Sequence, residues 1–218
     1  MSGAAAPRAT IVDTGIGNLG NLERAVRSLG VPVATSLDPG LIADSPCLLL
    51  PGVGAFRPPR ERLRGALEEA LRAALARGAW VLGICVGYQL LFESGEEFGT
   101  TDGLALLPGS VASLPASVSL PHIGWNRLHV RQAGHRLMRG LADRSYLYFV
   151  HSFAPRRVPA EMVVASCLHG VDFPAVVARD RVMGTQFHPE KSGAAGLRVL
   201  ANYLSLALGD LDGTAAGN

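Results

Sequence analysis

The hydrophobic positions of the first hundred residues alternate between short apolar runs and helix-like stripes. Leucine recurs every four residues within residues 60–77, which predicts one helix there with an apolar stripe that faces a sheet. Gly78 is expected to end this helix. A shorter helix is predicted over residues 21–29, with Asn21 as its cap and Gly30 as its stop. Short apolar runs predict strands at residues 9–12, 31–35, 47–50 and 80–82.

The pattern changes after about residue 103, where short strand-like segments follow one another. These segments are residues 126–130, 146–153, 162–168, 175–179 and 182–186. Asp180 and Arg181 link the last two segments and predict a tight hairpin. The chain closes with a predicted helix over residues 195–208. Strand–helix alternation followed by hairpins predicts an α/β fold with a mixed sheet.

Composition narrows the class of protein. The chain has 218 residues, of which 48% are hydrophobic and 17% are charged, so intrinsic disorder is excluded as its main state. The formal net charge of +2 is too small to indicate a nucleic-acid partner. We expect a single domain over residues 1–218, folded from about residue 8 to residue 208, with both ends frayed.

Targeting and metal-binding signals are missing from the sequence. No apolar run reaches the ~18–20 residues of a membrane span, and the first residues lack the apolar core of a signal peptide, so we expect a cytoplasmic protein. Three cysteines without a CxxC or HExxH spacing predict neither a disulfide framework nor a metal site. Cys47 and Cys167 lie inside apolar runs and are expected to be buried strand residues.

Cys85 lies in a Gly-Ile-Cys-Val-Gly segment that follows an apolar strand and opens a helix. Glycines two residues before and two residues after it allow the sharp strand-to-helix turn of a nucleophile elbow, with cysteine in place of serine. Such a turn presents the side chain at the carboxyl edge of the sheet and leaves the Val86 N–H free to bind an oxyanion. The alternative is a buried cysteine flanked by packing glycines.

A cysteine nucleophile needs a base, and His188 is the best candidate among the six histidines. It directly follows a predicted strand, and Pro189 favours extended backbone at His188. Residues i and i+2 of extended chain point the same way, so Glu190 can lie beside the His188 ring and fix its tautomer. His151 and His122 are the alternative bases, although neither has a carboxylate nearby in sequence. A His-Pro-Glu segment in isolation is more often an ordinary turn.

The segment Pro51-Gly52-Val53-Gly54 is expected at the same sheet edge, because it also follows an apolar strand. Glycine on both sides of Val53 lets the backbone turn its N–H toward a ligand, which supplies a second oxyanion donor. In isolation the segment is more simply a glycine-rich connection.

Together these pieces resemble the class I (triad) glutamine amidotransferases. A narrower resemblance is carried by the segments DTGIGNL (13–19), PGVGAF (51–56), GICVGYQLL (83–91), PHIGWN (121–126), YFVHS (148–152) and GTQFHPEKS (184–192). With these segments the sequence is similar, over roughly residues 8–208, to the glutaminase subunits of imidazole glycerol phosphate synthase. The resemblance implies a mostly parallel central sheet flanked by helices, with an added antiparallel, hairpin-rich part.

The resemblance also implies roles for individual residues. Cys85 attacks the carboxamide of L-glutamine, His188 transfers the proton and Glu190 orients His188. The N–H groups of Val53 and Val86 form the oxyanion hole. The remaining glutamine-binding positions implied by the family are Gly52, Gly54, Gln89, Glu97 and Ser152. Neither a cofactor nor a metal is implied.

The family docks this subunit on a (β/α)8-barrel cyclase, which receives the ammonia through a channel. The cyclase combines ammonia with a phosphoribulosyl carboxamide intermediate (PRFAR) to make imidazole glycerol phosphate and an aminoimidazole carboxamide ribotide (AICAR) in histidine biosynthesis. The resemblance implies a heterodimer whose interface includes Asn18, His122, Trp125, Tyr148 and Lys191. Lys191 is the only lysine of the chain.

Other assignments keep the fold and change the function. The same triad serves glutaminases of anthranilate, guanylate and pyridoxal-phosphate synthesis, against which the PHIGWN and FHPEKS segments count. A non-catalytic binding protein or a general cysteine hydrolase on this fold is a further alternative. The intact set of Cys85, His188 and Glu190 argues against a non-catalytic protein.

Overall fold

The computed structural model describes residues 6–15 and 17–209, so the expectation of frayed ends mostly concerns residues outside this part of the chain. The helices are α1 (Leu19–Ser28), α2 (Pro39–Asp44), α3 (Arg57–Leu63), α4 (Ala66–Ala76), α5 (Val86–Gln89) and α6 (Gly193–Leu208). Strands in the first half are β1 (Ala9–Val12), β2 (Val33–Ser36), β3 (Cys47–Gly52), β4 (Trp80–Cys85), β5 (Ser94–Gly95) and β6 (Thr101–Asp102). Those of the second half are β7 (Ser110–Ser113), β8 (His122–Arg127), β9 (His129–Val130), β10 (Tyr146–His151), β11 (Phe153–Arg156), β12 (Val163–His169), β13 (Val171–Arg179) and β14 (Val182–Thr185).

The main sheet runs in the order β2-β1-β3-β4-β14-β13-β12-β9. Its strands are parallel from β2 to β14 and antiparallel from β14 to β9. A two-stranded ribbon of β10 and β8 and a small sheet in the order β11-β7-β5-β6 complete the fold. The predicted α/β fold with a mixed sheet is therefore confirmed, including the hairpin between β13 and β14.

The centre of the sheet is apolar on both faces. Every residue of β3 is buried, and so is every residue of β4 after Trp80, as expected for parallel strands covered by helices on both sides. The terminal helix α6 packs on β3, where the buried Tyr203 hydroxyl donates a hydrogen bond to the Leu48 carbonyl at 2.8 Å. None of the described helices combines the length and apolar character that crossing a bilayer requires.

The register of the parallel strands brings three loops to one edge of the sheet. Gly52 at the end of β3 is opposite Cys85 at the end of β4, and Ile84 is opposite Thr185 at the end of β14. The chain therefore leaves β3, β4 and β14 side by side. The three segments with predicted catalytic chemistry begin at these exits.

The single helix predicted over residues 60–77 is wrong, because the structure has two helices there, α3 and α4. The break falls at Gly65, whose φ of 73° lies in the left-handed region and interrupts helical hydrogen bonding. The leucine spacing continues through the break, so the periodicity did not reveal it. The buried residues of α4 are Ala70, Leu71 and Ala74, and the helix packs against α2.

The cap predicted for the first helix is also wrong. Helix α1 begins at Leu19, with Asn18 at the cap position, so the predicted cap Asn21 lies inside the first turn. The Asn21 side chain instead accepts a hydrogen bond from Arg24. Gly30 ends the helix as predicted, with its N–H bonded to the Arg27 carbonyl at 2.9 Å.

Gly87 provides a test of the packing at this sheet edge. A methyl group on Gly87 overlaps the Leu50 carbonyl oxygen, which belongs to the rigid backbone of β3. We therefore expect Gly87→Ala to lower the free energy of unfolding by about 3 kcal/mol, measured by urea denaturation. The matched control is Gly134→Ala, where an added methyl group meets nothing within 4 Å and the expected change is below about 0.5 kcal/mol. Equal stability of the two variants would contradict the packing described here.

Candidate active site

Cys85 lies at the junction of β4 and α5 in a strained backbone conformation. Its φ of 55° and ψ of −110° are unusual for a residue with a side chain. The turn brings Gly87 against the Leu50 carbonyl and Gly52 against the Gly87 nitrogen. Side chains at these glycines would push β3 and α5 apart. The sequence predicted this sharp turn from the glycines around Cys85.

His188 follows β14 and pairs with Glu190. The Nδ1 atom of His188 lies 2.8 Å from Oε1 of Glu190, and the two side chains are only 2% and 4% exposed. The backbone of His188 is extended, with φ of −94° and ψ of 100°, and the short turn Pro189–Lys191 follows it. Since a carboxylate can only accept, Nδ1 donates to Glu190 and the Nε2 edge of the ring points away from this pair.

The environment of His188 favours its protonated form. Burial alone lowers the pKa of His188, but interactions with Cys85 and the Glu190 carboxylate outweigh it and raise the pKa to about 10. Nε2 of His188 has no hydrogen-bond partner among the described residues. That nitrogen is therefore available to exchange a proton with Cys85 or with a bound molecule.

A cavity of about 230 Å³ opens where the three loops meet. Cys85 and His188 both line it, and Glu190 lies behind the His188 ring. The lining also includes the predicted oxyanion and glutamine-binding residues Val53, Val86, Gly54, Gln89, Glu97 and Ser152. Gly52 is not part of the lining. It lies beneath Val86 and Gly87, which suits a role in packing.

Two of the lining side chains have additional protein partners. Nε2 of Gln89 donates to the Phe153 carbonyl at 2.9 Å and to Oε1 of Gln186 at 3.2 Å. Oε2 of Glu97 accepts a hydrogen bond from the backbone N–H of Phe56 at 2.8 Å. Glu97 therefore ties the small sheet to the loop after β3, which contains Val53.

Gln186 is a further residue of the site, and no sequence pattern predicted its role. It is fully buried, and its Nε2 lies 3.9 Å from the Cys85 sulfur while its Oε1 accepts from Gln89. The signal was available, because Gln186 belongs to the same GTQFHPEKS segment as His188. A neutral amide at this position can donate to a thiolate without changing the net charge of the site.

The alternative bases are engaged elsewhere. Nδ1 of His151 lies 2.9 Å from the Phe153 carbonyl, and its Nε2 lies 3.0 Å from Nδ1 of His122. Although His151 lines the cavity, both of its ring nitrogens are thus occupied by protein groups. Of the three candidates, His188 is the one with a free Nε2 next to Cys85.

Three of the predicted interface residues form one cluster. Trp125 is 55% exposed, and its ring centroid lies 6.1 Å from that of Tyr148. Nζ of Lys191 lies 5.8 Å from the Tyr148 ring centroid. Asn18 lies at the cap position of α1, and this helix packs against the turn Pro189–Lys191, which contains Lys191. His122 is only 4% exposed and lies below the surface.

Comparison with known proteins decides the family. Residues 10–205 match the family model described as glutamine amidotransferase class-I. The chain belongs to this family. The protein of Salinibacter ruber named imidazole glycerol phosphate synthase subunit HisH is 45% identical over 205 residues, covering 90% of this chain and 94% of that protein. A HisH subunit of Symbiobacterium thermophilum is 46% identical, covering 90% and 92%. Within the class-I amidotransferases the chain is therefore of the HisH type.

Solved structures agree with this amidotransferase fold. A crystal structure of a glutamine amidotransferase matches with a TM-score of 0.73 at 21% identity, covering 92% of this chain and 98% of that one. The structure of PurLQS from Thermotoga maritima matches with a TM-score of 0.70 at 20% identity, also covering 92% and 98%. At such low identity these likenesses show the fold alone. The mostly parallel sheet with an antiparallel, hairpin-rich part, which the resemblance implied, is thus confirmed.

The pKa of His188 in this amidotransferase gives a direct test of the site. Because Cys85 and Glu190 both raise that pKa, Cys85→Ser and Glu190→Gln should each lower it, and the imidazole should lose its proton at a lower pH. NMR of isotope-labelled histidine rings, assigned with a His188→Gln variant, measures the change. Glu61→Gln, which removes an exposed carboxylate paired with Arg64, should leave the pKa unchanged. An unchanged pKa in Glu190→Gln would contradict the pairing.

Proposed function

We propose that this chain hydrolyses L-glutamine with Cys85 as nucleophile, His188 as proton carrier and Glu190 as the residue that orients His188. The observation that carries the proposal is the arrangement of the His188 ring. Glu190 holds Nδ1 at 2.8 Å, and Nε2 is free in a cavity lined by Cys85. This is the arrangement of nucleophile, base and orienting carboxylate that amide cleavage requires.

The proposed reaction has two steps, formation of a glutamyl thioester and its hydrolysis. Sγ of Cys85 bonds to the carboxamide carbon of glutamine, and His188 transfers the thiol proton to the leaving nitrogen as the C–N bond breaks. Ammonia leaves and a glutamyl thioester remains. Water then adds to the thioester carbon while His188 takes its proton. The C–S bond breaks, glutamate is released and the thiol regains that proton. Two easier steps replace one difficult amide hydrolysis.

Backbone N–H groups stabilise the oxyanion that each step generates. Val86 follows Cys85 at the start of α5, and Val53 lies in the loop after β3, so both border the cavity. We assign the two N–H groups to the oxyanion hole, where preorganised donors stabilise developing charge. The amino-acid part of glutamine is assigned to Gly54, Gln89, Glu97 and Ser152, which line the same cavity.

The ammonia is proposed to pass to a (β/α)8-barrel cyclase that converts PRFAR to imidazole glycerol phosphate and AICAR in histidine biosynthesis. The names of the relatives support a synthase with more than one subunit. An exposed aromatic such as Trp125 beside a second aromatic, Tyr148, is typical of a docking surface. Tyr148, in the same cluster, also bonds to the catalytic segment, because its carbonyl accepts from the His188 N–H at 3.0 Å.

Sequence identity to the HisH relatives argues against a synthase that delivers ammonia to a different acceptor. The HisH relatives share 42–46% identity with about nine-tenths of the chain. The family model spans most of the length, which supports the proposal of one glutamine amidotransferase domain. A cytoplasmic location remains a prediction from the sequence.

Replacing the nucleophile tests the proposed chemistry. We expect Cys85→Ala to lower glutamine hydrolysis by about 10⁴-fold or more, while ammonia-dependent synthesis by the complex with a cyclase subunit is retained. The assay measures glutamate release and, separately, product formation from added ammonium. Cys167→Ala is the matched control, because this thiol is buried in β12 and burial raises its pKa to about 12. Full glutaminase turnover in Cys85→Ala would exclude Cys85 as the nucleophile.

A further inference from the structure

A chain of hydrogen bonds runs from the cavity to strand β8. Nδ1 of His151 lies 2.9 Å from the Phe153 carbonyl oxygen, and its Nε2 lies 3.0 Å from Nδ1 of His122. Nε2 of His122 lies 3.0 Å from the Asn126 amide nitrogen, which also donates to the Leu168 carbonyl at 3.1 Å. The proton transfer assigned to the catalytic site uses none of these groups.

The Phe153 carbonyl at one end of this hydrogen-bond chain and the Asn126 amide at the other determine which ring nitrogens hold a hydrogen. A carbonyl oxygen only accepts, so Nδ1 of His151 is a donor and its Nε2 is left as an acceptor. Nδ1 of His122 therefore donates to His151, and Nε2 of His122 accepts from the Asn126 amide. Each contact is satisfied when both imidazoles are neutral and hold their hydrogen on Nδ1. A proton added to either Nε2 would remove one hydrogen bond.

The groups packed around His122 and His151 favour the neutral form of both rings. The His122 ring stacks on Phe149 at 4.9 Å and on His169 at 4.2 Å, and Phe173 packs edge-on against His151 at 5.0 Å. Burial and the neighbouring His169 lower the pKa of His122 to about 4. Burial also lowers the pKa of His151 to about 3, with His122, His169 and His188 as the neighbouring titratable groups and the Phe153 carbonyl acting in the opposite direction.

The hydrogen-bond chain ends at the Phe153 carbonyl, which also contacts Gln89 in the lining of the cavity. The Phe153 carbonyl that accepts from His151 also accepts from Nε2 of Gln89 at 2.9 Å. Ser152, between the two residues of this contact, lines the cavity. The His151 ring and the Gln89 side chain are therefore joined through one carbonyl oxygen. At the other end, β8 bears the exposed side chains of Ile123 and Trp125.

We propose that His151 and His122 are positioning residues for glutamine binding, acting as a neutral pair with Nδ1–H tautomers that fixes Gln89 and Ser152 through the Phe153 carbonyl. The inference rests on the proposed function, because it assumes that glutamine occupies the cavity. It adds a requirement that Cys85, His188 and Glu190 do not impose: the donor on His122 must face the acceptor on His151.

The first test observes the tautomers directly. Nitrogen NMR of the full chain with labelled histidine, assigned with single substitutions, should show His122 and His151 neutral at pH 5–7 with their hydrogen on Nδ1. The hydrogen on Nε2, or a protonated ring at pH 6, would overturn the proposal.

The second test measures glutamine binding without turnover. In the Cys85→Ala background, isothermal titration with L-glutamine gives the Kd, and His122→Phe should raise it about tenfold by removing the donor while keeping the ring stack. His122→Asn places an amide donor near the position of Nδ1 and should restore Kd to within about threefold of the background value. His129→Asn in β9 is the control for a histidine change elsewhere and should leave Kd unchanged.

The outcomes separate the two proposals. If Cys85→Ala does not bind glutamine at all, the proposed function fails. If it binds and His122→Phe has the same Kd while remaining folded, the positioning role fails. If His122→Phe does not fold cooperatively, Asn126→Ala decides, because it leaves both imidazoles in place and removes the donor to Nε2 of His122. We expect it to raise Kd at least twofold in a chain that still unfolds cooperatively, and an unchanged Kd would contradict the role.

Discussion

Three backbone segments approach one another closely at the carboxyl edge of the sheet, and the site depends on that contact. The end of β3, the end of β4 and the start of α5 fit together because Gly52 and Gly87 have no side chains. Cys85 is held there with a φ of 55°, in a conformation that tertiary packing must maintain. The same packing sets the positions of Val86 and of the loop that contains Val53. A displacement at this contact would therefore move the nucleophile and both proposed oxyanion donors together.

Two histidines that line the same cavity, His188 and His151, have pKa values shifted in opposite directions by their surroundings. His188 donates to a buried carboxylate and lies beside Cys85, so its pKa is raised to about 10 despite burial. Burial lowers the pKa of His151 to about 3, although its hydrogen bond to the Phe153 carbonyl acts in the opposite direction. The difference separates a ring suited to proton transfer from a ring suited to fixed hydrogen bonding. For His188 the interactions with Cys85 and Glu190 outweigh burial, whereas for His151 burial outweighs the hydrogen bond to the Phe153 carbonyl.

The sequence revealed those features that local chemistry determines. The apolar runs located β1, β3 and β4, and the two-residue link located the hairpin of β13 and β14. The glycines around Cys85 and the His-Pro-Glu spacing predicted the elbow and the pair of His188 with Glu190, which the structure brings together at one cavity. Periodicity did not reveal the break at Gly65, because a single left-handed residue can interrupt a helix while the leucine spacing continues. Likewise, Asn18 takes the cap position that Asn21 was expected to hold.

Contacts between distant segments could not be predicted from the sequence. Gln186 is next to Cys85 only because β14 pairs with β4, and His122 meets His151 only because β8 pairs with β10. Such neighbours follow from strand register, which the pattern of residues did not determine. The burial of His122 also depends on the stack of Phe149 and His169 around it. Nothing in the PHIGWN segment itself indicated that His122 would lie below the surface.

Glutamate release from L-glutamine by the purified chain tests the account most directly. It should be measured with the chain alone and again with a (β/α)8-barrel cyclase subunit and PRFAR. We predict little glutamate from the chain alone and strong stimulation by the liganded cyclase, as expected for a glutaminase that delivers ammonia to a partner. The absence of glutamate under both conditions would contradict the proposed chemistry. Equal, high activity without the cyclase would contradict the proposed partnership.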